Sequence, residues 1–220
     1  MQATEPAVPA SRSRRALRRV GLPLVVAAAC SATLGGCIVA AVGAGAIGGA
    51  VVMTDRRSAG IQLEDKQIEH RVDSALGDRF ARQSVRIDVA SYDQEVLLAG
   101  QVSSEQDRLD AAAIAARAEN VRRVTNELEI GSLGGLSNGT DDALLAAKVR
   151  TSLLEEKGMA PGVVVVHCTL GSIYLFGKVN AHEAEVAKAV ASHVEGVKRV
   201  VALFQILSPE EYARFPAQKP

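Results

Sequence analysis

Tryptophan is missing from the 220 residues, and Phe and Tyr bring the aromatic share to only 3%. That shortage excludes a carbohydrate platform or a base-stacking surface built on rings. Neither sign of charge dominates, because 25 basic and 25 acidic side chains cancel. Five arginines (Arg12, Arg14, Arg15, Arg18, Arg19) and one acid, Glu5, fall in residues 1–36, which leaves 20 basic against 24 acidic side chains in the rest. Nucleic-acid affinity, which rests on clustered Lys and Arg, has no basis in such a balance. Catalytic signatures are missing too: there is no G-x-S-x-G, no phosphate-binding loop and no dinucleotide fingerprint. His70, His167, His182 and His193 are scattered, without H-x-x-x-H spacing beside a carboxylate. No enzyme, no cofactor and no metal site are expected. Asp65, Asp141 and Asp142 read as helix-start residues, favoured there by capping and the helix dipole.

What is present begins with an address. Arg12–Arg19 form a basic region, and Val20–Leu34 is uncharged and rich in Val, Leu and Ala. Its length fits the apolar core of a signal peptide and falls short of the roughly 20 residues that span a membrane. Leu34-Gly35-Gly36-Cys37 follows. It resembles the lipobox of bacterial lipoproteins, which implies cleavage before Cys37, a diacylglyceryl thioether on its sulfur and an acylated amino terminus. Several acyl chains hold a protein firmly where one is marginal. Ile38 rather than Asp after the cysteine implies, by the same resemblance, the outer membrane facing the periplasm. Cys30 leaves with the signal peptide, so Cys168 is the remaining free thiol and no intramolecular disulfide is expected. Cys168 itself reads as a small packed residue near a strand end. The uncharged run continues to Met53 and contains Gly45-x-x-x-Gly49, a spacing that also lets helices pack in membranes. It reads as a small-residue tether at the membrane surface.

Beyond the tether the chain repeats itself. Ile68, Val72 and Leu76 correspond to Leu145, Val149 and Leu153, and Val121 and Val124 correspond to Val197 and Val200. Each repeat reads as helix, two strands, helix, strand. Apolar residues four apart predict helices at about Glu64–Leu76 and Asp141–Leu154. Alternation predicts strands at Val85–Val89 and Glu95–Val102, then at Val163–His167 and Ile173–Val179, with Tyr92 in the first hairpin turn. Ser103-x-x-Gln106 and Asn180-x-x-Glu183 have capping-box spacing, and Gly196, aligned with Asn120, suits a helix C-cap. Arg123–Ile130 and Arg199–Leu207 predict the closing strands.

Val96-Leu-Leu-Ala-Gly-Gln-Val102 and Ile173-Tyr-Leu-Phe-Gly-Lys-Val179, followed by Asn120-Val-Arg-Arg-Val124 and Gly196-Val-Lys-Arg-Val200, carry a family resemblance. The repeats resemble BON domains. With the lipobox and Thr54–Gly60 they resemble dual-BON outer-membrane lipoproteins. The expected class is α+β: two tandem αββαβ units, each a three-stranded mixed sheet with two helices on one face. Expected segments are a signal peptide at 1–36, a lipidated terminus and tether at 37–63, BON domains at 64–131 and 141–207, a Gly/Ser linker at 132–140 and a tail at 208–220 with little to pack against. The resemblance implies anionic-phospholipid binding and support of outer-membrane integrity without catalysis. A competing reading is a protein-interaction adaptor, or a holdase-like module, acting on outer-membrane assembly proteins or in envelope stress.

The repeat provides its own control. On the outward face of the opening helix, the first copy carries Gln67, His70, Arg71, Ser74 and Gly77, and the second carries Leu144, Ala147, Lys148, Thr151 and Leu154. Leucines there, with Lys148 and Arg150 beside them, predict a lipid-contacting face in the second domain. The expected lipidation residue is Cys37, and the expected lipid-binding residues are Leu144, Ala147, Lys148, Arg150, Thr151 and Leu154.

Overall fold

A computed structural model of the protein describes residues 55–80, 85–131 and 139–215. The signal peptide, Cys37, the apolar tether as far as Thr54 and most of the Gly/Ser linker lie outside the described residues. The first repeat comprises α1 (Ala59–Arg79), β1 (Arg86–Tyr92), β2 (Glu95–Val102), α2 (Glu105–Arg117) and β3 (Arg123–Ile130). The second comprises α3 (Gly139–Glu155), β4 (Val165–Thr169), β5 (Ser172–Val179), α4 (Ala181–His193) and β6 (Arg199–Ile206), and a short α5 (Pro209–Tyr212) follows.

In each repeat the hairpin strands pair antiparallel and the closing strand runs parallel to the middle one, in the orders β1-β2-β3 and β4-β5-β6. The sheets are therefore mixed, as expected, and the helix before each closing strand supplies the crossover that parallel pairing demands. Tight two-residue turns close both hairpins. Asp93 and Gln94 have φ of 52° and 67°, and Leu170 and Gly171 have 55° and 79°. Left-handed backbone at both central positions matches the right-handed twist of the flanking strands.

The two helices of each repeat cover one sheet face. Ile68, Val72 and Leu76 of α1 pack with Ala111 and Ala115 of α2 on Val96, Leu98 and Val102. Leu145, Val149 and Leu153 of α3 pack with Ala184, Ala187 and Ala191 of α4 on Ile173, Leu175 and Val179. The opposite faces are buried as well. Leu97 and Ala99 of β2 meet Tyr174 and Phe176 of β5, with Tyr92 stacked on Phe176 at 5.9 Å between ring centroids. The sheets thus pack back to back between two outer helix layers, and the described residues form one compact unit. This explains why β2 and β5 are nearly continuous apolar runs: each buries both faces. Ion pairs cross the seam, among them Arg86–Asp142 at 3.1 Å, Lys178–Asp93 at 2.8 Å and Arg199–Glu127 at 2.9 Å. Tyr92 is accordingly the last residue of β1 and a seam residue 2% exposed, rather than part of a turn.

The glycine of each V-x-L-x-G-x-V pattern has a steric reason. A Cβ on Gly100 would lie 2.1 Å from the Arg86 carbonyl oxygen, and one on Gly177 would lie 2.6 Å from that of Val163. The neighbouring chain crosses too closely for any side chain.

Three local expectations change. First, α1 starts five residues before Glu64, because the Ser58 hydroxyl caps it by accepting from the Ile61 amide at 3.2 Å. Second, the cap of α2 is Ser104, which accepts from the Asp107 amide at 3.1 Å, whereas Asn180 and Glu183 form the full reciprocal box on α4. Third, the tail packs. Ser208 and Glu211 cap α5, and its Tyr212, with Phe215, lies over the Arg56 guanidinium at 4.7 and 5.5 Å. Arg56 also donates to both carboxylate oxygens of Glu183, at 2.7 and 2.9 Å, and to the Lys178 carbonyl at 2.6 Å. Next to it, Arg57 turns to the first repeat, bonding Asp55 and Asp65 and lying 4.0 Å from the Tyr92 ring. Two adjacent arginines therefore fasten one stretch of chain to both repeats.

Candidate functional site: a groove between two helices

Side chains on α3 divide by spacing. Leu145, Val149 and Leu153 are in the core, while Leu144 and Leu154 stay 58% and 53% exposed. An open groove of about 1010 Å³ runs between α3 and the C-terminal half of α4. Leu144, Ala147, Ala189, Val190 and Val194 supply its apolar lining. Alanines at two of these places keep the floor low. Lys148, Thr151 and His193 contribute polar groups, and Glu155, Glu156 and Glu195 add three carboxylates.

Of the residues singled out in sequence, the fold brings Leu144, Ala147, Lys148 and Thr151 into this groove. Thr151 spends its hydroxyl proton on the Ala147 carbonyl at 3.1 Å. Arg150 points elsewhere, donating to the Val166 carbonyl on β4 at 3.1 Å, so it lies outside the groove's lining. Leu154 is exposed but also outside that lining. The expected basic face is in consequence a rim of mixed sign, with one lysine against three glutamates. The contributions of α4 were missed in sequence. Their signal was present: Val190 and Val194, four apart, form a second apolar row beside the core alanines Ala187 and Ala191.

The matching face of α1 is polar. Gln67, His70 and Ser74 are exposed, and Arg71 donates to Glu64 at 2.6 Å and to the Glu119 carbonyl at 3.2 Å. A smaller polar cleft of about 440 Å³ lies nearby, lined by Lys66, Glu69, His70 and Asp73 of α1 and Asp88 of β1, together with His167 from across the seam. Burial holds His167 below the ordinary histidine pKa, outweighing the nearby carboxylates of Asp88 and Glu69. Among the described residues, no group of three or more His, Cys, Asp or Glu side chains is placed to hold a metal ion.

Two buried aspartates have a further role that sequence reasoning did not assign. Asp142 lies in the first turn of α3, as expected, whereas Asp65 lies inside α1, and each reaches the hairpin turn of its own repeat. Asp65 accepts from the amides of Asp93 and Gln94 at 2.8 and 2.7 Å and from the Ser91 hydroxyl at 2.9 Å. Asp142 accepts from the amides of Leu170 and Gly171 at 2.9 and 2.8 Å and from the Cys168 thiol at 3.5 Å. Each latch is completed by an arginine, Arg57 on Asp65 and Arg86 on Asp142. Burial opposes ionisation of Asp142, but the two amides, the thiol and Arg86 outweigh it and hold its carboxyl below the ordinary range. Burial, with Asp142 alongside, pushes the Cys168 thiol up to about 12, so that it is an inert packed group.

Among the described residues, no helix is long and apolar enough to cross a membrane. Comparison with known proteins places both repeats in one family: the BON domain model matches residues 64–132 and again 141–208. The chain is 32% identical over 175 residues to Outer membrane lipoprotein DolP of Haemophilus influenzae, a match covering 79% of this chain and 90% of that protein. It is 32% identical over 148 residues to the 21 kDa hemolysin of Actinobacillus pleuropneumoniae, covering 67% of this chain and 76% of the hemolysin. Osmotically-inducible protein Y of Escherichia coli is 27% identical over 141 residues, covering 63% and 70% respectively.

Proposed function

The chain belongs to the BON-domain family, with two tandem copies of the domain, and from that premise we propose that it is an outer-membrane lipoprotein with a role in the cell envelope. In this reading acylated Cys37 holds it to the membrane, the body faces the periplasm, and the second domain contacts phospholipid through the groove between α3 and α4. It binds and does not catalyse.

The observation that carries the reading is the exposed leucine pair on α3 beside an apolar groove, at positions where the first repeat has Gln67 and Gly77. Leaving Leu144 more than half exposed forgoes about 1 kcal/mol of burial, which an acyl boundary restores. Lys148 at the groove's edge suits a headgroup phosphate, at about 1 kcal/mol where the surface is anionic. The test is co-sedimentation of residues 51–220 with vesicles containing phosphatidylethanolamine, phosphatidylglycerol and cardiolipin. Leu144→Asp is expected to weaken binding about tenfold, on the order of the lost apolar contact plus a charge placed against lipid. Undiminished binding by a Leu144→Asp protein with an unchanged melting curve rejects the groove. The adaptor reading, in which the outer strands β3 and β6 receive an envelope-assembly protein by strand addition, predicts partner recovery that Leu144→Asp leaves intact.

A further inference from the structure

We propose that the free edge of β6 is an interface for a second copy of this chain. The two copies pair their β6 strands antiparallel and join two three-stranded sheets into one, in the order β4-β5-β6-β6-β5-β4.

β6 is an edge strand whose one hydrogen-bonded neighbour is β5. Every residue of β6 is at least partly exposed, whereas Ser172 to Gly177 of β5 are buried. The Leu207 amide donates to the Val179 carbonyl at 2.8 Å, which fixes the parity of the strand. Alternate residues before it, Gln205, Leu203 and Val201, turn their backbone groups toward β5, and Phe204, Ala202 and Val200 turn theirs away. A row of outward amides and carbonyls is a template for another strand.

The first repeat shows how such an edge is closed. Asn126 of β3 is the counterpart of Ala202. Its side-chain oxygen accepts from the Leu128 amide at 3.2 Å, and its side-chain nitrogen donates to the Arg108 carbonyl of α2 at 2.9 Å. Glu127 and Glu129 add two charges to the same strand. Charges along an edge are a guard against pairing. β6 has neither device. Ala202 has no group to cap the amide of Phe204, the counterpart of Leu128, and Val200 to Ser208 contains no charged residue.

The chemistry of this edge selects its occupant. It fits an extended, uncharged strand rich in branched and aromatic residues, and Val200-Val-Ala-Leu-Phe-Gln-Ile206 is itself such a strand. The two ends of β6 differ in sign. Lys198 and Arg199 stand at its start, Glu210 and Glu211 lie just past its end, and all four are exposed. Arg199 is engaged by Glu127 at 2.9 Å, and Glu211 caps α5. Lys198, whose ammonium donates to the neutral Leu170 carbonyl at 2.9 Å, and Glu210 are left to meet a partner. Parallel pairing of two copies sets like charges together. Antiparallel pairing sets the basic start of each strand toward the acidic exit of the other, at both ends. The arrangement is two-fold and uses the same edge on each copy, so association stops at two.

The experiment is sedimentation equilibrium of the full chain, purified from membranes in nonionic micelles, over a wide range of concentration. A monomer–dimer equilibrium is expected. Ala202→Asn gives β6 the cap that β3 has and is expected to raise the dissociation constant about tenfold, because each dimer loses two hydrogen bonds. Lys198→Glu and Glu210→Lys are each expected to weaken the dimer, and the double variant to restore it. All three positions are exposed, and unchanged melting curves separate loss of association from loss of fold. A chain that stays monomeric throughout, a dimer indifferent to Ala202→Asn, or a charge swap without rescue overturns the proposal. A monomeric chain that captures a different envelope protein, and loses it in Ala202→Asn, gives the edge to a foreign strand and overturns it too. None of these outcomes touches the phospholipid reading, which Leu144→Asp tests separately.

Discussion

The two repeats share a fold, a turn and a steric glycine, yet they differ in what completes them. The first is closed by its own neighbourhood: Arg57, a few residues ahead of α1, reaches Asp65 and seals the hairpin latch. The second depends on the first, because the arginine on its latch is Arg86, from β1 across the seam. Their outward faces diverge as well, one polar and locally paired, the other apolar and rimmed by unpaired charge. A duplicated domain has thus kept its internal hydrogen bonds and specialised its surface, with one copy serving as the frame on which the other is mounted.

That comparison can be broken most severely at the glycines. Gly100 has φ of 129° and the closer carbonyl, so Gly100→Ala is expected to cost about 4 kcal/mol, near the upper end for single substitutions. Gly177→Ala meets its carbonyl at 2.6 Å and is expected to cost less. Urea unfolding of both variants measures the difference, and equal losses contradict the ranking.

Next come the latches. Asp142→Asn removes a buried charge that holds two amides and an arginine, and is expected to cost about 3 kcal/mol. The folded pKa of Asp142 is depressed, so its stabilisation is fully present above the unfolded value of about 3.9 and is lost as pH falls through the lower folded value. Melting temperature followed downward from pH 6 should therefore fall more steeply below about pH 4 in the wild type than in Asp142→Asn. Parallel curves contradict the latch. Arg86→Ala should weaken the second repeat while leaving the hairpin of the first protected, as read by hydrogen exchange at Leu170 and Gly171 against Asp93 and Gln94.

The smallest effect is expected at the clamp. Arg56→Ala removes a nearly buried partner of Glu183, whose side chain is 2% exposed, for about 2 kcal/mol. Exchange at residues 209–215 should rise more than anywhere else, and unchanged protection there contradicts the clamp.

Much of this was legible in the chain. The repeat offsets gave both αββαβ units, and the four-residue spacing of Leu145, Val149 and Leu153 separated core from surface on α3, which is how Leu144 and Lys148 could be named. Periodicity did not reveal what depends on partners distant in sequence. Leu97, Ala99, Tyr174 and Phe176 looked like ordinary strand residues, and only their burial on the second sheet face shows the seam. Arg150 and Lys148 sit two residues apart with the same charge, but two residues on a helix is about 200° of rotation, enough to send one to β4 and the other to the groove. Asp65 and Asp142 resemble caps because capping and turn-latching use the same carboxylate chemistry at nearly the same helix positions.

The adjacent arginines have a mechanical consequence. Chain between Cys37 and Asp55 has a contour length of at most about 60 Å. Any pull along it arrives first at Arg56 and Arg57, one gripping the second repeat and the other the first. With the chain moored at Cys37 as proposed, load is shared across the two halves before it reaches α1, and a tug on the line cannot peel away one repeat without first breaking its grip on the other.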